Sequence, residues 1–306
     1  SKGLSLFHQS TLNNLFDLKG LSATFGIRFD YEHAGIDFST ESDGGDVNLQ
    51  FQIPNRPMPP MFVEGDTLIE GSFTRDFGQF LPKFALKYEF SPTSVIYLSA
   101  SKGYKTGGYN EQVFSEVLQN ALAASIMKNA MSGMPPGMFP GGTPGAGGAQ
   151  SVSLEEMLSY DPETSWTYEL GGRYELLNNK LSLTYALFYS QVNDIQIIKL
   201  TQQGTAGRTV ENAGKSESKG FELSLKYSPL RNLSFYGDYG FADARFSNYE
   251  FESGEVDDDG NPIMANYNGN YIPFAPQHTL SLGAGYVHNF KNGSFIERVA
   301  ANIQYS

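Results

Sequence analysis

Apolar side chains occupy every second position along several segments of the chain. Near its start Leu21, Phe25 and Tyr31 are apolar, whereas Arg28 and Glu32 belong to the interleaved polar set. Successive side chains of a β-strand point to opposite faces, so each such segment predicts a strand with one apolar and one polar face. The alternation returns in residues 84–90, 166–176, 181–189, 221–227, 233–241 and 280–286, and more weakly in residues 4–13, 95–107 and 295–305. The pattern therefore predicts about ten strands.

Short and long connections alternate between these predicted strands. The short turns lie at residues 16–20, 91–94, 177–180, 228–232 and 289–293. The long connections are residues 39–66, 109–163, 200–208 and 248–271. In an up-and-down barrel alternate connections share one rim, and outer-membrane barrels have short periplasmic turns and long extracellular loops. One stripe alone would fit half of a soluble sandwich, but the connection lengths favour a transmembrane barrel.

The predicted polar face carries many charged side chains. Among them are Arg28, Asp30, Lys87, Glu169 and Arg173. In a dry core these groups would be costly unless each were paired, whereas a wet interior solvates them. A small barrel has little room for them, so they predict a wider barrel whose interior holds water or a plug.

Aromatic residues bracket the predicted short turns. They are Tyr88, Phe90, Tyr97, Tyr174 and Tyr227. An aromatic girdle at the boundary between membrane and water accounts for this placing, and ordinary packing of aromatic residues in strands is the alternative.

Composition narrows the classes of function. The chain has 306 residues with 23 Phe, 18 Tyr and 33 Gly, which favours strands and turns. It has no Cys, which excludes disulfides and thiolate chemistry, and its net charge of −12 argues against nucleic acid as a partner. A transmembrane helix is excluded because no run of about 18 apolar residues occurs. The chain opens at Ser1 inside a strand-like segment, which predicts an internal fragment or a processed product.

Four sequence blocks resemble those of TonB-dependent receptors, in the order in which that family carries them. They are YLSASKGYKTGGYN at 97–110, YDPETSWTYELGGR at 160–173, GKSESKGFE at 214–222 and PFAPQHT at 273–279. The resemblance covers residues 21–306 and is closest in style to receptors for iron complexes, the siderophore receptors.

This resemblance implies an all-β fold, an antiparallel up-and-down transmembrane β-barrel of about 22 strands, of which this chain supplies about ten. Residues 1–306 are then a partial β-barrel domain with an extracellular loop insertion at 109–163. The plug domain, the segment that binds the energising protein, the first strands and the terminal strand with its closing aromatic residue are expected to be absent. The implied location is the outer membrane of a Gram-negative cell, which the strands cross many times.

The implied function is a receptor that captures a scarce extracellular ligand, a ferric siderophore or a similar compound, and takes it up with supplied energy. Its implied partners are that small ligand, the lipid bilayer and the TonB energy-transducing complex, which acts through the missing plug. No cofactor, no resident metal and no catalytic residue is expected. Ligand contacts are expected, by position alone, at aromatic and basic residues near the outer rim: Tyr104, Lys105, Tyr109, Tyr160 and Arg208.

Two other functions fit an outer-membrane barrel, namely a passive pore and a small ten-strand enzyme or adhesin. A closed barrel of about ten strands would require residues 4–13 to pair with residues 295–305. The sequence has no Gly-x-Ser-x-Gly elbow, phosphate loop, dinucleotide fingerprint or His-Glu-x-x-His helix. We therefore expect that the protein is not an enzyme.

The connection at 109–163 contains two kinds of sequence. Residues 134–150 are rich in Gly and Pro, which predicts an extended or mobile segment. Long connections of this kind are functional, here as an extracellular lid, or they are disordered insertions. Residues 112–132 predict a helix, with Val113, Val117, Ala121, Ala124 and Met131 on one side.

Three features bear on metal binding. All eight Met residues lie in predicted loops, where they indicate either an external soft-metal or haem site or an apolar loop surface. Residues 257–261 resemble a calcium loop but lack its ligand spacing, which favours a solvated turn. The histidines are scattered without metal spacing and are expected at interfaces or rims: His8, His33, His278 and His288.

Overall fold

The computed structural model describes residues 1–49, 52–53, 56–57, 61–111, 114–132, 154–200, 208–257, 261–290 and 297–305. In chain order the strands are β1 (Lys2–Asn13), β2 (Leu21–Leu49), β3 (Gln52–Ile53), β4 (Arg56–Pro57), β5 (Met61–Ser91), β6 (Ser94–Lys105), β7 (Gly108–Tyr109), β8 (Ser159–Tyr160), β9 (Glu163–Leu176), β10 (Leu181–Asn193), β11 (Gln196–Leu200), β12 (Arg208–Asn212), β13 (Lys215–Leu230), β14 (Leu233–Asn248), β15 (Glu250–Val256), β16 (Pro262–Asn266), β17 (His278–Asn289) and β18 (Arg298–Tyr305). The α-helices α1 (Phe114–Ser132) and α2 (Leu154–Leu158) lie between β7 and β8, and a 3-10 turn spans Leu15–Asp17.

A 10-stranded antiparallel sheet, which we call the wall, contains the long strands. Its order is β1-β2-β5-β6-β9-β10-β13-β14-β17-β18. Each wall strand pairs with the next wall strand along the chain, so the sheet is an up-and-down meander. The short pairs β3–β4, β7–β8, β11–β12 and β15–β16 lie in the long connections. The predicted all-β antiparallel fold is therefore confirmed.

The strands β1 and β18 lie at opposite edges of the wall. Within the described part of the chain each has one neighbour, β2 for β1 and β17 for β18. A ten-strand barrel closed on itself needs these two strands to pair with each other. The alternative of a small ten-strand enzyme or adhesin is therefore wrong.

The two faces of the wall differ in chemistry, as the alternation predicts. Phe25 lies opposite Phe84 with their ring centroids 5.8 Å apart, whereas Ser22 lies opposite Lys87 on the other face. On the apolar face Phe25 is 49% exposed. A soluble protein would bury such side chains, whereas in a membrane the lipid tails solvate them. We call this the lipid face and the opposite one the lumen face.

The lipid face of β2 has a defined upper limit. Its apolar stripe runs from Leu21 to Tyr31, about 33 Å along the strand, or about 25 Å of membrane at the usual barrel tilt of about 40°. Directly above, His33 Nδ1 lies 2.8 Å from Asp76 Oδ1, and the Tyr31 hydroxyl donates to the same oxygen at 2.9 Å. The change from apolar to polar side chains marks the outer boundary of the membrane.

Above this boundary β2 and β5 continue as a long hairpin whose polarity is reversed. Ile36 now faces Phe73, and Phe38 faces Gly71, on the side that carries charges lower down. The ladder continues to the pair of Leu49 with Met61. The predicted loop at 39–66 is therefore wrong over most of its length, because the apolar residues move from odd to even positions and interrupt the alternation.

Helix α1 packs on the apolar side of this hairpin. The rings of Phe114 and Phe38 lie 4.6 Å apart, and a Cβ atom at Gly65 would collide with Cγ1 of Ile126. The predicted helix at 112–132 is confirmed from residue 114. Its predicted packing side is wrong at Ala124, which is exposed, while Ala130 is buried.

Two details of the aromatic and methionine predictions change. Tyr97 lies on the lumen face, where its hydroxyl donates to Glu169, so it does not belong to the girdle. Met61 and Met264 lie in β5 and β16, because strands extend beyond the membrane into the predicted loops. Met58, Met134 and Met138 lie outside the described residues, as do residues 134–150.

The short turns lie at the other end of the wall. Leu177, Asn178 and Asn179 have φ of 54°, 57° and 63°, a left-handed conformation that Asn adopts more readily than most residues. Near this end the rings of Tyr88 and Phe90 lie 4.8 Å apart, and Phe90 approaches Tyr174 at 6.2 Å. The turns at 16–20, 91–94, 177–180 and 228–232 are confirmed, and the one at 289–293 falls partly outside the described residues.

Candidate functional site

The end of β6 leaves the wall at the outer rim. Its pairing with β5 stops at Ser101, whereas its pairing with β9 continues to Lys105. The Tyr104 hydroxyl donates to Glu32 Oε1 at 2.6 Å, and the Thr106 hydroxyl donates to Glu32 Oε2 at 2.6 Å. Because Glu32 is on the lumen face of β2, these two bonds hold the end of β6 over the inside of the wall.

Close backbone contact follows this inward turn. A Cβ atom at Gly107 would lie 2.5 Å from the Tyr160 carbonyl oxygen and 2.8 Å from the Phe77 ring. Only glycine leaves room for that approach. Phe77 is 6% exposed beneath it.

Asp161 joins this region to two other connections. Its carboxylate accepts from Arg75 Nη2 at 2.7 Å, and the Arg75 guanidinium lies 5.5 Å from the centroid of the Phe77 ring. Its backbone N–H donates to Asn212 Oδ1 at 2.6 Å, and its carbonyl accepts from Asn212 Nδ2 at 2.9 Å. Residues of β5, of the turn between β8 and β9, and of β12 therefore meet at one position.

Two side-chain amides also form hydrogen bonds with backbone groups at this position. Gln196 Nε2 donates to the carbonyls of Thr106 and Asp161 at 2.8 and 3.0 Å. Asn110 Oδ1 accepts from the Val210 N–H at 2.7 Å, and its Nδ2 donates to the Val210 carbonyl at 2.8 Å. Asn110 thus pairs with β12 as a strand residue would. We call the set Thr106, Asn110, Asp161, Gln196 and Asn212 the rim network.

A small apolar core supports the rim network from outside the membrane. Ala213, Phe246 and Tyr249 are buried together. Burial raises the pKa of Tyr249 to about 12, and the negative charge of Glu211 adds to the effect. Partly buried residues surround it, of which Ile197 lies in β11 and Phe251 in β15, while Ile195 and Ile272 lie in the connections beside them. The rim network therefore rests on packed structure.

The residues expected to contact ligand gather at this end of β6 and its continuation. Lys105 is exposed and lies opposite Glu163, while the Tyr104 hydroxyl is engaged by Glu32. Tyr109 and Tyr160 lie in the two-residue strands β7 and β8, which pair with each other.

Tyr109 has a buried hydroxyl without a hydrogen-bond partner among the described residues, and burial raises its pKa. Arg208 begins β12, and its side chain lies outside the described residues.

Sequence reasoning missed part of this arrangement. Asn110 and Asp161 lie within the sequence blocks that resemble the family, so the resemblance pointed to their neighbourhood. Glu32 is one of many charges on the predicted polar face, and nothing in the neighbouring sequence distinguishes Gln196 or Asn212. Their partners lie 90 and 51 residues away along the chain, so only the folded topology reveals them.

The described part of the chain contains no group of three or more His, Cys, Asp or Glu residues that could hold a metal ion. At the turn 257–261 the Asn261 N–H donates to Asp257 Oδ1 at 2.8 Å, and residues 258–260 lie outside the described residues. None of the described helices is long and apolar enough to cross a membrane.

Histidines lie where the sequence predicts in all but one case. His33 and His278 lie at the outer boundary of the lipid face, where His278 Nδ1 bonds the Tyr239 hydroxyl at 2.8 Å, and His288 lies near its other end. His8 does not lie at a rim, because the register places it opposite Ile27 in the middle of the lipid face.

Comparison with known proteins agrees with this architecture. The family model described as "TonB dependent receptor-like, beta-barrel" matches residues 7–306. The pesticin receptor of Yersinia enterocolitica is 29% identical over 142 residues, which are 46% of this chain and 18% of the receptor. The probable TonB-dependent siderophore receptor PiuA of Acinetobacter baumannii is 28% identical over 128 residues, which are 41% of this chain and 16% of PiuA.

Solved structures share the fold. The ferric yersiniabactin uptake receptor FyuA from Yersinia pestis has a TM-score of 0.56 and 20% identity, over 98% of this chain and 33% of FyuA. The structure of PiuA has a TM-score of 0.51 and 15% identity, over 93% of this chain and 31% of PiuA. This chain thus spans about a third of these receptors. With the family model matching almost all of its residues, the chain belongs to the TonB-dependent receptor-like β-barrel family of the outer membrane.

Proposed function

We propose that this chain is part of the wall of a receptor that captures a scarce extracellular ligand, a ferric siderophore or a similar metal complex, and takes it up. Energy comes from the TonB complex, which acts through a plug domain inside the barrel. The receptor makes and breaks no covalent bonds in this process. The insertion at 109–163 is extracellular.

The rim network is the observation that carries this proposal. It fixes both described ends of the connection between β6 and β9 at the outer rim, although a pore needs only an open mouth there. Asp161, for example, forms an ion pair with Arg75 of β5 and a hydrogen bond with Asn212 of β12. Preorganised groups at a mouth lower the ordering cost of ligand binding.

The candidate ligand contacts have suitable chemistry. An anionic metal chelate is attracted by the cations of Lys105 and Arg208, and aromatic rings such as Tyr109 and Tyr160 offer flat apolar surface. Tyr104 takes a positioning role, because its hydroxyl already binds Glu32.

Uptake of iron-55 tests the proposal. The intact protein is expressed in a Gram-negative strain without its own siderophore receptors, with and without TonB. It is supplied with iron-55 as catecholate, hydroxamate and phenolate complexes. We expect accumulation of at least one complex that needs both the protein and TonB. Accumulation that is unchanged without TonB would show a passive pore, and no accumulation of any complex would contradict iron uptake.

A further inference from the structure

A shallow apolar groove of about 410 Å³ crosses the lipid face of the wall. It runs over β2, β5, β6 and β9, each of which has a wall strand on both sides. The side chains that line it are Phe25, Phe84, Leu86, Leu98, Ala100 and Tyr168. The groove is therefore a feature of the inner strands of the sheet and does not arise from an open edge.

A gap between aromatic rings forms the groove. The register places Phe84 of β5 and Tyr168 of β9 directly opposite Ala100 of β6, one on each side. Phe25 extends the row beyond Phe84. The methyl group of Ala100 does not fill the space between the flanking rings, which remain 47% and 45% exposed. The gap suits a slender apolar group.

Lys102 is the next residue of β6 on this side of the sheet. It lies opposite Trp166, whose ring stacks on that of Tyr168 with centroids 6.2 Å apart. Directly opposite residues share a face, so Lys102 lies on the lipid side. It is half-buried, and its amino group has no hydrogen-bond or ion-pair partner among the residues that the structure describes. A free cation thus lies just beyond the end of the groove.

The depth of Lys102 follows from that of Trp166. Trp166 lies as far along β9 from Leu176 as Tyr31 lies along β2 from Leu21, which places it at the outer boundary of the membrane. Opposite Trp166, Gln191 Nε2 donates to the Tyr189 hydroxyl at 2.9 Å, as expected where water and headgroups begin. The groove therefore descends from the headgroup level into the hydrocarbon.

We propose that this groove holds an acyl chain of a lipopolysaccharide molecule, and that Lys102 binds a phosphate of its lipid A part. The acyl chain fills the gap above Ala100 between the two rings. The amino group of Lys102 donates to the phosphate oxygens in a charge-assisted hydrogen bond, and the apolar stem of the lysine continues the groove.

The position of the cation decides between the lipids of the two leaflets. The outer leaflet of a Gram-negative outer membrane consists of lipopolysaccharide, whose lipid part carries phosphates above several acyl chains. A phospholipid of the inner leaflet has its phosphate at the periplasmic surface, where it does not reach Lys102. The proposal is independent of what the receptor transports, since it concerns the outside of the wall.

Retention of lipopolysaccharide tests the groove. The intact protein is purified from outer membranes in a mild detergent, and native mass spectrometry measures the bound lipopolysaccharide. We expect Ala100→Trp, which fills the gap, to retain several-fold less than the unaltered protein. Ala284→Trp, on the lipid face of β17 and outside the groove, is the matched control and should retain as much. Equal retention in the two variants would overturn the proposal.

The role of Lys102 is tested with defined lipids. The delipidated intact protein, whose heat-dependent gel mobility verifies folding, is titrated with lipid A, with fully dephosphorylated lipid A and with phosphatidylglycerol. We expect lipid A to bind about tenfold more tightly than its dephosphorylated form, because one hydrogen bond to a charged group corresponds to about that factor.

Lys102→Gln should abolish this difference. Lys219→Gln, which changes a lysine opposite Tyr189 on β13, should preserve it. A preference for phosphate that persists in Lys102→Gln would show that Lys102 does not bind it. Phosphatidylglycerol binding as tightly as lipid A would show that the site does not select lipopolysaccharide. Either result would overturn the proposal.

Discussion

Single residues set the position of the outer rim, and Glu32 has the largest share. It accepts hydrogen bonds from two hydroxyls, of Tyr104 at the end of β6 and of Thr106 just after it. Hydrogen bonds to a charged group contribute about 1.5 to 3 kcal/mol each. One carboxylate therefore holds the end of β6 where it turns inward.

Removing that carboxylate should loosen the end of β6. We expect Glu32→Ala to raise amide hydrogen exchange of residues 102–110 roughly tenfold or more, because the energy of one such bond already corresponds to that factor. Tyr104→Phe should have a smaller effect, since Thr106 still binds Glu32. The control is Glu89→Ala, which removes a bond to Lys87 at the opposite end of the wall. Equal exchange in Glu32→Ala and the unaltered protein would contradict the assignment.

The assignment of faces is also decided at single residues. Leu183 lies on the lipid face, opposite Tyr174 and Leu225, and Thr184 lies on the lumen face. We expect Leu183→Arg to destabilise the intact protein by about 2 to 4 kcal/mol, the cost of a cation near the bilayer midplane. Thr184→Arg should be much milder, because the lumen face is wet. Denaturant unfolding from lipid vesicles measures both, and equal costs would refute the assignment.

Among the elements, the hairpin of β2 and β5 is one continuous pair of strands that lies partly in the membrane and partly outside it. Below Tyr31 its apolar residues face lipid, and above it they face helix α1. The helix is thereby held on the lumen side of the hairpin. Its docking depends on a close fit at Gly65, which admits the Ile126 side chain.

A larger side chain at Gly65 should displace helix α1 from the hairpin. We expect Gly65→Leu to separate α1 from β5, since the new side chain occupies the space of Ile126. Trypsin should then cleave the intact protein several-fold faster after Lys128, which is exposed on α1. Gly35→Ala is the control, because a Cβ there meets Thr74 Cγ2 at 3.5 Å, an ordinary contact. Unchanged cleavage after Lys128 in Gly65→Leu would mean that the helix is held elsewhere.

How far the sequence predicted each element depends on what surrounds it. Strands with lipid on one side and water on the other show the alternation, strongly in seven wall strands and weakly in β1, β6 and β18, so all ten wall strands were predicted. The extension of β2 above His33 was missed, because its environment changes while the strand continues. Tyr97 was misplaced for a related reason, since aromatic rings occur on both faces of β6.

The candidate site was less predictable than the wall. Its location followed from the blocks at 97–110 and 160–173, of which the first ends and the second begins at the outer rim. The partners did not follow, because Gln196 and Asn212 act through side-chain amides on backbone that lies far away in sequence. Periodicity describes which face a residue occupies and carries no information about such contacts.

On the scale of the whole molecule, the wall is an open sheet with β1 and β18 at its edges. Directly opposite residues of neighbouring antiparallel strands have Cα atoms about 4.5 to 5.5 Å apart, within the range of about 4.4 to 6.8 Å that a disulfide spans. Ala284 and Ile303 are such a pair on β17 and β18. Leu6 on β1 lies opposite Phe29 of β2 and does not pair with Ile303.

Paired cysteines test this openness in the intact protein. We expect Ala284→Cys with Ile303→Cys to form an intramolecular disulfide on oxidation, and Leu6→Cys with Ile303→Cys to form none. Gel mobility before and after reduction distinguishes the two. An intramolecular bridge between positions 6 and 303 would indicate a small closed barrel and would contradict the sheet order.

The reversal of polarity above Tyr31 restricts how the hairpin can change in length. An insertion of one residue in β2 below that point would turn every side chain above it to the other face, exposing Phe38 to the outside and bringing Asp37 against the helix. Two inserted residues would preserve both assignments. Related proteins should therefore differ here by even numbers of residues in each strand, unless a β-bulge such as the one between Asp43 and Asp46 takes up an odd residue.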